Sequence, residues 1–105
     1  MNRAQEIEKA KEFFADCLFL LDKKAHDYAK DDECFSNFLK VGVVCDVPLE
    51  KVFIMFMTVK LARLIELINK PNNNESKHDS MVDIANYACL MALATNYTRR
   101  IPKQG

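Results

Sequence analysis

"VFIMFMTVKLARLIELI", residues 52–68, decides how this chain folds. Wound as a helix, its first half, Val52–Val59, is apolar on every face. Its second half is amphipathic, with Leu61, Leu64, Ile65 and Ile68 inside and Lys60, Arg63 and Glu66 spaced by three. Pro48 suits the first turn of that helix and Pro71 lies beyond its end, so the expected span is Pro48 to Asn69. Asp46 or Val47 is expected near its N-cap, with Glu50 in the favourable first turn. A helix apolar all round sits at the centre of its domain or inside an oligomer. A chain of 105 residues has few places to hide one. The expectation is a homodimer packed through Val52, Phe53, Met55, Phe56 and Met57.

The flanking sequence is helical too. From Arg3 to Ala29, Ile7, Ala10, Phe14, Cys17, Leu18, Leu21, Ala25 and Tyr28 recur at spacings of three and four, an amphipathic stripe. Glu8, Glu12 and Asp16 line another face, and Lys9 and Lys11 nearby mark it as solvated. The acidic run Asp31–Glu33 reads as a turn or loop start. Phe35, Phe38 and Leu39 then suggest a short helix closing near Gly42. Beyond "NKPNNN", Ser76 and Asp79 form a Ser-x-x-Asp pattern resembling a capping box, and a last long helix runs to about Tyr97 or Arg99. Residues 1–5 and 99–105 are expected to fray. The fold class is therefore all-α: one domain over 1–105, with three long helices and one short one packed antiparallel.

Composition narrows the function classes. Fifteen basic and fifteen acidic residues balance to zero net charge, which gives no bulk attraction to nucleic acid or an anionic membrane. A DNA-binding reading has only Arg99, Arg100 and Lys103 behind it. Only two glycines occur, which argues against a dinucleotide or phosphate loop. None of the four cysteines forms a Cys-x-x-Cys pair, so zinc is not expected; haem is not expected either. The cysteines read as reduced thiols packed as small hydrophobes in a cytoplasmic protein. "MNRAQEIEKAKEFF" is too charged for a signal peptide, and Val52–Met57 is too short to span a bilayer.

The chemistry concentrates in "KHDSMVDIANYA", residues 77–88. Asp79 has a role near a helix start, where the dipole favours it. Asp83 sits at the edge of the apolar zone and needs a partner. Lys60 and Arg63 on the preceding helix are the natural ion-pair candidates. The other reading makes Asp79 and Asp83 ligands of Mg²⁺, with Lys60 and Arg63 facing phosphate. The residues leave both open. His26-Asp27 and His78-Asp79 evoke HD-type phosphohydrolases, but no acidic residue follows Asp83 to complete such a set.

Four motifs occur in order: K-x-x-D-Y at Lys24–Tyr28, NF at Asn37–Phe38, K-x-x-R at Lys60–Arg63, and ES-x-x-D-S-x-x-D-x-x-x-Y at Glu75–Tyr87. Over residues 20–95 the chain resembles the small all-helical phage proteins called nucleotide modification associated domain type 1. That family is similar to the all-α nucleoside triphosphate pyrophosphatases of the MazG and dimeric dUTPase kind. The resemblance implies a phage-type nucleotide-binding protein, in the host cytoplasm, linked to nucleotide metabolism or DNA modification. It also implies Mg²⁺-dependent pyrophosphohydrolysis, with Asp79 and Asp83 at the metal, Lys60 and Arg63 at phosphate, and Lys24, Asp27, Tyr28 and Asn37 around the nucleoside. The Glu-Glu-x-x-Glu helix of those enzymes is absent from this sequence; Glu8 and Glu12 are wrongly grouped and Glu66 stands alone. The alternative is a non-catalytic helical dimer that binds and inhibits a host protein.

Overall fold

A computed structural model describes residues 1–28 and 35–100, with the side chains of 25–28 and 97–100 outside that description. Four helices make up the described chain: α1, Arg3–Tyr28; α2, Ser36–Cys45; α3, Leu49–Ile68; and α4, Asn74–Arg100. The all-α expectation holds. Asp31–Glu33 and the tail 101–105 lie outside the described residues.

The start of α1 has a local cause. Before α1, Gln5 N–H donates to Asn2 Oδ1 and Asn2 N–H donates to Gln5 Oε1, both at 2.9 Å. This reciprocal capping box settles two otherwise unpaired backbone donors. Along α1, Lys9 pairs with Glu12 and Lys11 with Glu8, all exposed, as a solvated face requires.

Three boundary expectations need correction. Gly42 does not end α2; it is buried inside it, and a Cβ there would lie 3.0 Å from the Val47 carbonyl oxygen. The glycine serves close approach of backbones. Asp46 does not cap α3. It closes α2 in the left-handed region, φ 55° and ψ 49°, and Val47 N–H donates to the Gly42 carbonyl at 3.0 Å. Pro48 precedes α3 in extended conformation, with no side-chain cap, and Glu50 takes the first turn as expected. Ser76 does not cap α4 either. The chain turns through Asn72 at φ 65°, and α4 starts at Asn74, which puts Ser76 and Asp79 within the helix.

α3 and α4 form the antiparallel pair around which the core is built. Phe53 meets Phe38 at 4.8 Å and Phe35 at 6.2 Å between ring centroids. Leu90 and Ala94 of α4 close this cluster, with Leu21, Leu49, Met57 and Met91 at its margin. Val52 and Phe53 are 0% exposed. They belong to the chain's own core and have no surface for a partner, so the expected dimer face shrinks to Met55 and the half-buried Phe56 and Met57. The all-round apolar character of α3 had a nearer cause: α2 covers one side and α4 another.

α1 departs further from its expected packing. Among the described helices its backbone comes close to α4 alone. Among the described members of the expected stripe Cys17 is buried and Ala10 and Leu21 are half-buried, while Ile7, Phe14 and Leu18 are exposed. The face that turns inward is Ala10, Phe13, Cys17, Leu20, Leu21 and Lys24. Cys45 and Cys89 are exposed, so of the described cysteines only Cys17 packs as a small hydrophobe. Burial and the neighbouring Asp16 carboxylate push the Cys17 thiol up, which keeps it protonated.

Candidate functional site: a charged cleft between α3 and α4

Antiparallel pairing of α3 and α4 sets their side chains in rungs. Phe56 stacks on Tyr87, with centroids 5.4 Å apart and planes at 22°. One turn along each helix, Lys60 Nζ meets Asp83 Oδ2 at 2.9 Å. Next to this pair opens a cleft of about 290 Å³ lined by Lys60, Arg63, Ser76, Asp79, Ser80 and Asp83. The four α4 residues stand at i, i+3, i+4 and i+7, a single helix face.

Asp83 is almost fully buried and doubly paired. Lys24, reaching across from α1, donates to Oδ1 at 3.0 Å while Lys60 holds Oδ2. Burial alone would push the carboxyl up. The hydrogen bonds from Lys60 and Lys24, with the charges behind them, outweigh burial and hold it below its ordinary value. Both oxygens are thereby engaged.

The expected residues are brought together in part. Lys60, Arg63, Asp79 and Asp83 share the cleft. Lys24 joins through Asp83 rather than as a nucleoside contact. The Asp83 partner is Lys60 with Lys24, and Arg63, exposed at the rim, makes no ion pair among the described residues. Asn37 is exposed on the first turn of α2 and does not line the cleft; neither does Glu66, which is exposed on α3. The side chains of Asp27 and Tyr28 lie outside the described residues. His78 turns away from Asp79, bonding Asp16 at 3.1 Å and meeting the Phe13 ring edge-on. Asn86 is structural: its Nδ2 donates to the Cys17 carbonyl at 3.0 Å and ties α1 to α4.

Ser76 and Ser80 are the cleft residues that the sequence reading missed. Their spacing with Asp79 and Asp83 was the available signal, because four polar residues on one helix face next to a core imply a lined hollow. No signal in the sequence pointed to Lys24 on Asp83, since the two are separated by 59 positions.

The lining offers donors to an anion through Lys60 and Arg63, balanced by the Asp79 and Asp83 carboxylates, and Lys24 reaches Asp83 from outside the lining. Each ammonium keeps N–H donors beyond its bond to Asp83, and the Arg63 guanidinium offers five in a planar fork. Mg²⁺ fits less well. Among the described residues no three His, Cys, Asp or Glu side chains converge, and a cation at Asp83 has to displace a lysine. Comparison of the chain with protein-family models, curated proteins and solved structures finds no match.

Proposed function

We propose that this chain is a nucleotide-binding protein that grips its ligand by the phosphate end in the α3–α4 cleft. The observation that carries the reading is the double clamp on Asp83. Buried Asp83 fixes the Lys60 ammonium at the cleft wall, engages Lys24 from α1 with its other oxygen, and leaves Arg63 and Ser76 accessible to a ligand. At about 290 Å³ the cleft is at the small end for ligand pockets, which suits one or two phosphate groups rather than a whole nucleotide. The half-buried Phe56–Tyr87 pair, one turn away, supplies an aromatic edge for the base. A phage-type role in nucleotide metabolism or DNA modification is the setting that the motif resemblance implies. Mg²⁺ enters this reading as the ion a nucleoside triphosphate carries, with Asp79 the cleft carboxylate that has no ion pair among the described residues. Hydrolysis is not part of the reading.

The test is thermal unfolding with nucleoside mono-, di- and triphosphates and with pyrophosphate, each with and without Mg²⁺. A ligand at a hundred times its dissociation constant adds about 2.7 kcal/mol to the folded state. The expected result is a rise in Tm that Arg63→Gln removes while the ligand-free Tm stays unchanged, because Arg63 is exposed. A flat response to every phosphate compound sinks the reading. It turns attention to the host-protein alternative, which Val43 and Val44 favour, exposed beside an apolar hollow of about 400 Å³ at the α2–α3 corner.

A further inference from the structure

The groups that line the α3–α4 cleft divide into engaged and idle. Asp83 is engaged through both oxygens, by Lys24 and Lys60. Arg63 and Asp79 share the lining, yet among the described residues neither makes an ion pair. Ser80 is the informative member. It is only 3% exposed, and it lines the cleft. Thr58 and Thr95 return their hydroxyls to their own helices, donating to the Ile54 and Met91 carbonyls. The Ser80 hydroxyl makes no such bond and has no other partner among the described residues. Every fully enclosed side-chain nitrogen or oxygen among those residues is partnered, so the Ser80 hydroxyl faces the open volume of the cleft.

The idle groups are unequal in kind. Lys60, Arg63 and Ser80 have N–H and O–H donors to offer an anion, whereas the Asp79 carboxylate can only accept. A ligand made of acceptors alone serves the donors but sets its lone pairs against Asp79. A ligand that adds an O–H answers all of them. Orthophosphate near neutral pH keeps at least one P–O–H group. Sulfate has the same shape and a similar charge, and keeps none.

We propose that Asp79 sets the selectivity of the cleft by accepting a hydrogen bond from the P–O–H of a terminal phosphate. The ligand class is then orthophosphate, or a phosphomonoester as its monoanion, the form that holds a proton below about pH 6. Sulfate and phosphodiesters carry no such group and are refused. The internal phosphates of nucleic acid fall in the refused class, and a free mononucleotide in the accepted one. The inference rests on the anion-binding reading of this cleft. Asp79 is exposed, so water weakens the discrimination. It is expected at about tenfold, the lower end for a hydrogen bond to a charged group.

The experiment follows backbone amide shifts of the isotopically labelled chain by NMR as sodium orthophosphate or sodium sulfate is added. Neutral pH, matched ionic strength and no Mg²⁺ leave Asp79 to meet the anion itself. Wild type, Asp79→Asn and Ser80→Ala are compared. The ratio of the two affinities is taken within each variant, so a loss of folded fraction cancels. Wild type should prefer phosphate about tenfold. Asp79→Asn should abolish the preference, because an amide turns its oxygen to P–O–H or its N–H to sulfate. Ser80→Ala should weaken both anions together and keep the preference. If Asp79→Asn only strengthens both anions and leaves the preference in place, its effect is bulk charge and the proposal is overturned. Equal binding of the two anions to wild type overturns it as well, and in both cases the anion-binding reading survives. Unchanged affinities in Ser80→Ala overturn the placement of the anion on the cleft floor. If neither anion nor a nucleoside monophosphate moves the amides of Lys60, Arg63, Ser76 and Ser80, the anion-binding reading falls and the selectivity with it.

Discussion

Lys60 and Asp83 meet across the α3–α4 seam at 2.9 Å, one helical turn from the stacked rings of Phe56 and Tyr87. The aromatic rung belongs to the core and the ionic rung borders the cleft, so a single geometry of two helices supports both fold and site. Removing the carboxylate leaves two ammonium groups facing each other. Both lysines are partly exposed and recover water, which limits the loss. Asp83→Ala should cost about 1–3 kcal/mol. A shift of the urea midpoint at unchanged slope measures it. An unmoved midpoint means that the clamp contributes nothing to stability.

Acid should dissolve the same clamp. The folded Asp83 carboxyl lies below its ordinary value, so folding favours its deprotonated form. That contribution is complete above the unfolded aspartate value of about 3.9 and fades as pH falls through the lower folded value. The unfolding free energy of wild type minus that of Asp83→Asn should be level near neutrality and shrink only in acid below about pH 4. A difference that widens on acidification contradicts the assigned direction.

Gly42→Ala tests the α2–α3 corner. The new Cβ meets the Val47 carbonyl oxygen at 3.0 Å, and Val47 is itself tied to Gly42 by a 3.0 Å backbone hydrogen bond. Alanine gains about 0.5–1 kcal/mol as a helix-interior residue. The corner has no slack to give, so a net loss of about 1 kcal/mol is expected, read as a fall in Tm of several degrees. A rise in Tm shows that the corner yields.

Asp46→Gly should act the other way. Asp46 holds φ 55°, where a side chain is strained and glycine is not. The gain is about 0.5 kcal/mol after the greater freedom of glycine in the unfolded chain is set against it. Chemical denaturation of the two variants side by side gives opposite signs, and a destabilised Asp46→Gly points instead to a local role for the carboxylate.

Much of the architecture was legible because periodicity is local. The span of α1 could be read from apolar spacing, and that of α3 from its prolines and the apolar run between them. The end of α2 could not, since a glycine after an apolar run looks the same whether it closes a helix or admits a neighbouring backbone. Val52 and Phe53 were assigned to a partner because an apolar run cannot reveal what covers it; α2 and α4 do. Lys60, Arg63, Asp79 and Asp83 were legible as neighbours because they lie on helices joined by a short turn. Lys24 was not, because its position depends on how α1 crosses α4. Ile7, Phe14 and Leu18 of the α1 stripe failed for the same reason: the helix is amphipathic, but the face that packs is turned partway from the one its composition suggests.

That crossing also governs how the molecule comes apart. Among the described residues α1 is held by buried Cys17, by Leu21 at the margin of the core, by the Phe13–His78 ring contact, by a carbonyl bonded by Asn86, by the His78–Asp16 pair and by the Lys24 end of the clamp. α3 and α4 share the aromatic core. The chain is therefore built as a firm hairpin with a detachable arm. Amide exchange along α1 should report a cheap partial opening well below the global one, and each such opening releases one of the two lysines from Asp83. The negative charge under the cleft then rises and falls with the docking of a helix whose other end lies far from it.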